Sequence, residues 1–188
     1  METKISGKSL SVLFGAAFLW ASATAEAGSI SSGTPLPEFT HHTAADWLNS
    51  EPLSVAKLRG SVVLIDFWAY ECWNCFQTIP WLQDVEARYA RQGLVVISVH
   101  TPELEKERVR DNVADAVQRY HLTNPVMLDN DYSYWDALET QAWPTFYIAD
   151  RNGKLRLAAA GEVHIGDNNA KQIEAAIERL LAEKADSP

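Results

Sequence analysis

The sequence predicts an α/β domain of three layers, with helices covering both faces of a central mixed β-sheet. Continuous apolar runs of strand length alternate with segments of helical periodicity, and the last two predicted strands are joined by a short turn. Alternation of buried strands with helices is typical of parallel pairing, whereas a tight turn makes two strands antiparallel. The 188 residues are enough for one such domain with its own core.

The amino-terminal segment is set apart from this domain. It carries two lysines, an apolar stretch that ends at Trp20, and three overlapping A-x-A patterns. This order is typical of a secretory signal peptide, because the apolar stretch is shorter than the roughly 20 residues that span a bilayer. We predict a signal peptide over residues 1–27, a linker over 28–37 and the domain over 38–188. An uncleaved segment that tethers the protein to a membrane is the alternative.

The charge of the chain restricts its partners. Residues 1–27 carry two lysines and two glutamates, so the formal net charge of −9 belongs to the remaining residues. An acidic surface repels nucleic acid and anionic lipid. We therefore expect no nucleic-acid partner.

The first half of the domain contains two strands and two helices. The apolar runs over residues 61–68 and 93–100 are predicted as buried strands. Residues 72–90 between them have helical spacing, and Pro80 is expected to kink this helix. Residues 102–120 read as one charged amphipathic helix. Its apolar face is formed by Leu104, Val109, Val113, Val117 and Tyr120.

The second half ends in a hairpin and a helix. The turn DRNG places Gly153 where a positive φ is required, so the strands before and after it are predicted to pair antiparallel. The apolar stripe of the last helix is predicted to pack in the core. The predicted elements are strands over 125–129, 144–149 and 154–161 and helices over 132–139 and 168–184, with a short helical patch over 44–48.

Both cysteines of the chain, Cys72 and Cys75, lie where the first strand ends and the first helix begins. Unpaired N–H groups and the helix dipole stabilise negative charge there, which can lower a thiol pKa from about 8.5 into the range of roughly 3.5 to 7.5. The first cysteine can then attack a disulfide, and the second can resolve the mixed disulfide. The pair therefore indicates redox chemistry.

Two other uses of the cysteines are disfavoured. A structural zinc site needs four ligands, and the five histidines have no finger-like spacing, so no metal site is predicted. A purely structural disulfide across two residues closes too short a loop to restrain the unfolded chain much.

Two separated motifs resemble the thioredoxin-like superfamily. LIDFWAYECWNC resembles the thioredoxin active-site segment, and AWPTFYIADRNGKL, from Ala142, resembles its cis-proline loop and the hairpin that follows. The extra helix after the second strand and the export signal resemble the exported TlpA-like branch. Within that branch, VHTPE and LDNDYSYW resemble the thioredoxin-like domain of DipZ proteins. The resemblance runs from about Leu36 to the end and implies the thioredoxin-like fold.

The resemblance also implies roles for individual residues. Cys72 would be the nucleophile and Cys75 the resolving thiol, with no cofactor beyond their redox-active disulfide. Asp66 matches the buried acid that assists proton transfer at the second cysteine, and burial would raise its pKa towards neutrality. Pro144 would be cis and would present the backbone of Trp143 to an extended substrate.

The residues beside the cysteines depart from thioredoxin. Trp73 and Asn74 replace Gly-Pro between the cysteines and are candidate substrate contacts, although Trp73 could equally pack against a neighbouring loop. Glu71 stands where thioredoxin has Trp, and a carboxylate beside Cys72 should oppose thiolate formation.

These features predict an exported, monomeric thiol-disulfide oxidoreductase. It would pass electrons from a membrane donor to proteins with disulfides or oxidised cysteines, and the absence of a histidine between the cysteines favours reduction. The alternatives are a disulfide oxidase or isomerase, a metal or haem chaperone, and a scaffold without turnover. A peroxidase is disfavoured, because Ala69 stands three residues before Cys72 where a peroxidatic site has Thr or Ser.

Overall fold

The computed structural model describes Met1 and residues 33–184. The predicted signal peptide lies outside these residues, and the predicted linker is described from Gly33 onward. That described part packs on the domain: the N–H of Gly33 donates to the carbonyl of Leu155, and the N–H of Leu36 donates to that of Gly153, both at 2.8 Å. Contacts of the domain therefore extend into the predicted linker. Within the described residues, every helix is too short or too polar to cross a bilayer.

A mixed sheet of six strands forms the centre of the domain, as predicted. Its order is β1-β4-β3-β2-β5-β6, with β2, β3 and β4 parallel and the other neighbours antiparallel. The strands are β1 (Trp47–Leu48), β2 (Val62–Trp68), β3 (Leu94–His100), β4 (Val126–Leu128), β5 (Thr145–Ala149) and β6 (Leu155–Ala160). The antiparallel hairpin of β5 and β6 is confirmed. β1 was predicted as helix, and only the preceding 3-10 turn, Ala44–Asp46, is helical.

Helices cover both faces of the sheet. They are α1 (Trp73–Tyr89), α2 (Arg110–Arg119), α3 (Ser133–Ala137) and α4 (Asn168–Ala182). Successive β2 side chains point to opposite faces, so Leu64 packs with α1 and α4 whereas Phe67 packs with α3 and with Phe39, which precedes β1. Ile173 and Ile177 of α4 are fully buried, which confirms that its apolar stripe belongs to the core.

The helix predicted over residues 102–120 is broken in two, so this prediction was wrong. A 3-10 turn, Glu105–Arg108, ends at Val109, whose extended backbone separates it from α2. Leu104 and Val109 are exposed rather than on a buried face. The physical cause is the buried Glu107 carboxylate, which accepts the N–H of Glu71 as well as N–H groups of its own turn, and so ties this turn to the cysteine segment instead of a continuous helix.

Candidate active site

The two cysteines occupy the predicted junction of strand and helix. Cys72 is the N-cap residue of α1 and is joined by a disulfide to Cys75, with the Cα atoms 5.3 Å apart. The N–H of Cys75 points at the Cys72 sulfur at 3.2 Å. In the reduced protein this N–H and the helix dipole would stabilise a thiolate at Cys72. Cys72 also lines a surface cavity, so an incoming disulfide can reach its sulfur.

Asp66 lies in the interior of β2, on the sheet face that α1 covers, because it is two residues from Leu64 and from Trp68 and shares their face. Ser98 of β3 stands opposite it in the parallel register and donates to its Oδ2 at 3.2 Å. Asn124 in turn donates to the Ser98 hydroxyl at 2.9 Å. Burial raises the pKa of Asp66 to about 7, against a smaller lowering by the Ser98 hydrogen bond. Asp66 can therefore hold or release a proton near neutral pH.

The Trp143–Pro144 peptide bond is cis. The half-buried indole of Trp143 stacks on Trp135, with 4.1 Å between ring centroids, and donates to the carbonyl of Thr101 at 3.0 Å. The N–H of Thr101 donates to the carbonyl of Trp68 at 3.1 Å. Thr101 thus joins the Pro144 loop to the end of β2, the strand that leads to the cysteines.

The two residues between the cysteines are both exposed. Trp73 keeps 68% of its surface accessible, and its nearest aromatic neighbour is Phe76, with ring centroids 5.7 Å apart. The sequence left open whether Trp73 is a substrate contact or packs against a neighbouring loop, and in the structure its side chain is exposed. An exposed indole beside a reactive sulfur is available to a partner molecule.

The segment before Cys72 is held by residues that the sequence did not single out. The N–H of Glu71 donates to the Glu107 carboxylate at 2.9 Å, and the Tyr70 hydroxyl donates to the Lys106 carbonyl at 3.2 Å. The Lys106 ammonium also pairs with the Glu71 carboxylate at 2.8 Å. This cation offsets the negative charge that was expected to oppose thiolate formation at Cys72, although both side chains are well exposed and the pair is screened.

A buried histidine lies directly behind the cysteine loop. His100 is opposite Trp68 in the register of β2 and β3, and its ring stacks on Tyr70. Neither ring nitrogen reaches a hydrogen-bond partner on another residue in the described part of the chain. Burial lowers the pKa of His100 to about 3, so the ring is neutral at physiological pH. Its burial agrees with the prediction of a buried strand over residues 93–100.

A second polar cluster consists of His41, Asp129 and Asp131. The His41 Nε2 atom lies 3.3 Å from Asp129 and 3.1 Å from Asp131, a grouping that could hold a metal ion. The Asp129 carboxylate is already engaged, because it accepts the N–H groups of Tyr134 and Trp135 at 2.9 and 3.0 Å. The cluster thus contributes polar contacts at the amino end of α3.

Comparison with known proteins places this geometry in a family. The AhpC/TSA family matches residues 32–158. Thiol-disulfide oxidoreductase YkuV of Bacillus subtilis is 30% identical over 149 residues, which cover 79% of this chain and 95% of YkuV. Protein DipZ of Mycobacterium tuberculosis is 41% identical over 129 residues, or 67% of this chain and 18% of DipZ. The chain spans less than a fifth of the length of the longer relatives that it matches.

Solved structures share the fold. A protein from Chlorobium tepidum assigned as the thiol:disulfide interchange protein DsbE superposes with a TM-score of 0.70 at 23% identity. The match covers 82% of this chain and 100% of that one. The prediction of a thioredoxin-like fold is thereby confirmed.

Proposed function

The chain belongs to the AhpC/TSA family and shares its thioredoxin-like fold with thiol-disulfide oxidoreductases, and from this premise we propose that it reduces disulfides in exported proteins. One observation carries the proposal. A disulfide-bonded cysteine caps α1 and lines a surface cavity, and a buried carboxyl whose pKa is about 7 lies in β2 on the sheet face that α1 covers. These are the parts that a two-cysteine exchange requires: a stabilised nucleophile, a resolving thiol and a proton acceptor.

The proposed reaction begins with the reduced protein. The Cys72 thiolate attacks one sulfur of a substrate disulfide, that bond breaks, and a mixed disulfide and a substrate thiolate result. Cys75 then gives its proton to Asp66 and attacks the Cys72 sulfur. The second substrate thiolate leaves and both substrate thiolates take up protons, while the disulfide between Cys72 and Cys75 forms. Two electrons have passed to the substrate, and a membrane donor returns them to the cysteines.

The Pro144 loop would hold the substrate during this exchange. Its link to the Trp68 carbonyl through Thr101 fixes it beside the end of β2, from which the cysteine segment continues. Because the Trp143 indole is turned into the domain, the backbone of this residue is the part left to pair with an extended substrate.

Electron direction is tested with a Cys75→Ser variant and the wild-type protein. The variant lacks the resolving thiol, so Cys72 mixed disulfides should accumulate, and mass spectrometry of the attached proteins would identify substrates and donor.

Wild-type protein should reduce insulin, and a Cys72→Ser, Cys75→Ser double variant should not. A reduction potential near that of a strong oxidant, with no insulin reduction, would reverse the direction in favour of the oxidase alternative. Tight metal binding by the reduced protein would instead favour the chaperone alternative.

Export is part of the proposal and rests on the amino-terminal sequence. The three A-x-A patterns allow cleavage after Ala23, Ala25 or Ala27. The mature protein recovered from outside the cytoplasm should therefore begin at Thr24, Glu26 or Gly28. Recovery of the chain with Met1 and the complete apolar stretch from a membrane fraction would support the tethered alternative.

A further inference from the structure

A groove lined by aromatic side chains runs from Cys72 along the exposed side of α1. It consists of two adjoining cavities of about 320 and 440 Å³, which share Phe76, Arg119 and Tyr120. Cys72 and Trp73 line the first cavity, and the second extends past Pro80. The reactive sulfur therefore lies at one end of a continuous surface depression.

One wall of the groove is fixed by the hydrogen bonds of Tyr120. Tyr120, at the end of α2, donates its hydroxyl to the Tyr70 carbonyl at 3.1 Å, and its own carbonyl accepts from Gln83 of α1 at 2.9 Å. Its ring also lies 5.4 Å from that of Phe76. The opposite rim is apolar and open, since Trp73 and Phe76 leave 68% and 42% of their surfaces exposed. Neighbouring large apolar side chains left in water mark an interaction surface.

Arg119 gives the groove a charge. Its guanidinium lies 5.5 Å from the centre of the Tyr120 ring, and it joins no ion pair among the described residues. Of the other ionisable side chains on the lining, Glu71 pairs with Lys106, and the His164 ring lies against the Glu162 carboxylate. An unpaired cation stacked on a fixed ring is a preorganised site for a carboxylate, on a chain whose net charge of −9 otherwise repels acidic partners.

We propose that this groove binds the polypeptide segment flanking the substrate disulfide and selects segments with a bulky apolar side chain next to a carboxylate. The inference rests on the proposed function and adds a substrate class to it. The groove does not compete with the Pro144 loop. That loop leads into β5 on one side of β2, whereas α2 packs on β4 on the other side, where Val113 contacts the strand. A substrate could thus be held on both sides of its cysteine.

The test uses three disulfide peptides that carry Phe beside the cysteine and differ only in having Glu, Gln or Lys at the next position. The fully reduced protein is mixed with each peptide, and the rate of thiol transfer is followed against peptide concentration. Wild-type protein should reach half-saturation at an about fivefold lower concentration of the Glu peptide than of the Gln peptide, the size of an exposed charge-assisted contact. Phe76→Ala should raise the half-saturating concentration for all three peptides.

Charge reversal separates recognition from misfolding. Arg119→Glu should prefer the Lys peptide, a gain that an unfolded variant cannot show. Arg91→Glu is the matched control, because Arg91 is exposed in the turn at the opposite end of α1 and should leave the wild-type preference intact. Suppose that wild-type protein reduces 2-hydroxyethyl disulfide and also reduces all three peptides with the same half-saturating concentration. In that case the groove proposal is wrong and the proposed function stands. If it reduces none of these disulfides, the proposed function itself is wrong.

Discussion

The buried carboxylate of Glu107 accepts a hydrogen bond from the backbone N–H of Glu71, the residue immediately before Cys72, at 2.9 Å. Its second oxygen accepts the N–H groups of Glu103 and Leu104, both at 2.7 Å. The position of the nucleophile therefore depends on a side chain that comes after the next strand in the sequence. Such a carboxylate stabilises two loops at once, because it accepts three backbone N–H groups from two separate segments.

Replacing Glu107 should loosen both loops. Glu107→Ala leaves three N–H donors without an acceptor, so we expect a loss of about 3 kcal/mol in the free energy of unfolding, measured in urea. Glu107→Gln keeps one carbonyl oxygen but turns an amide N–H₂ towards the remaining donors, so an intermediate loss is expected. Equal stability of the Ala variant and wild-type protein would show that the carboxylate does not hold the loops.

The ion pair of Lys106 with Glu71 should tune the thiol of Cys72. Lys106→Met removes the cation and leaves the carboxylate, so we expect the pKa of Cys72 in the reduced protein to rise by about half a pH unit. The thiolate absorbance near 240 nm, followed against pH, measures it. Glu71→Gln should shift the pKa the other way. Because both side chains are exposed, 1 M salt should remove most of either effect, and effects that persist in salt would point to a change in loop structure.

Asp66 makes the stability of the domain depend on pH. Its pKa is about 7 in the folded protein against 3.8 for the free side chain, so the folded state binds the extra proton between these values. The free energy of unfolding should accordingly fall as pH rises from about 4 to 7, by on the order of 4 kcal/mol from this group.

Asp66→Asn removes that loss. Relative to wild-type protein, the variant should gain stability in urea on going from pH 5 to pH 8, and it should reduce insulin more slowly because it cannot accept the Cys75 proton. Asp115→Asn, at an exposed position of α2, is the control and should show neither change. A stability difference between Asp66→Asn and wild-type protein that is the same at both pH values would contradict a raised pKa.

His100 produces the opposite dependence. Burial lowers its pKa to about 3 from the usual 6.5, so the unfolded chain binds the extra proton between these values and stability falls as pH decreases through them. His100→Phe keeps a ring against Trp68 and Tyr70 and removes the titration. The variant should melt at a higher temperature than wild-type protein at pH 4, whereas His42→Gln, an exposed change, should not. If the melting temperatures of wild-type protein and His100→Phe fall equally as the pH is lowered, His100 is not the cause of that fall.

Local patterns predicted most of the fold. The apolar runs that became β2 and β3, the helical spacing after Cys72 and the glycine turn before β6 each depend on neighbouring residues, so periodicity and turn chemistry are sufficient there. The cysteine pair, Asp66 and Pro144 were found because they stand in two compact motifs.

What escaped prediction is set by contacts between distant segments. Glu107 lies in a stretch of alternating charges that reads as a solvated helix, and only its approach to Glu71 explains why the helix breaks. Arg119 likewise reads as a solvated helix residue, and Tyr120 as part of the apolar face of the predicted helix. The packing of α2 against α1 places both on the cavity that Cys72 lines. The aromatic contacts of His100 come from Trp68 and Tyr70, which lie in another segment.

Thr101 joins the two halves of the active site mainly through its backbone. Its N–H binds the Trp68 carbonyl and its carbonyl accepts the Trp143 indole, whereas only the bond to Asp129 uses its side chain. Any residue other than proline can supply the first two bonds, and serine can supply all three. The spacing between the cysteine loop and the proline loop can therefore be kept when the residue at position 101 is replaced. The residue type at this position is accordingly a poor guide to whether a relative keeps the activity.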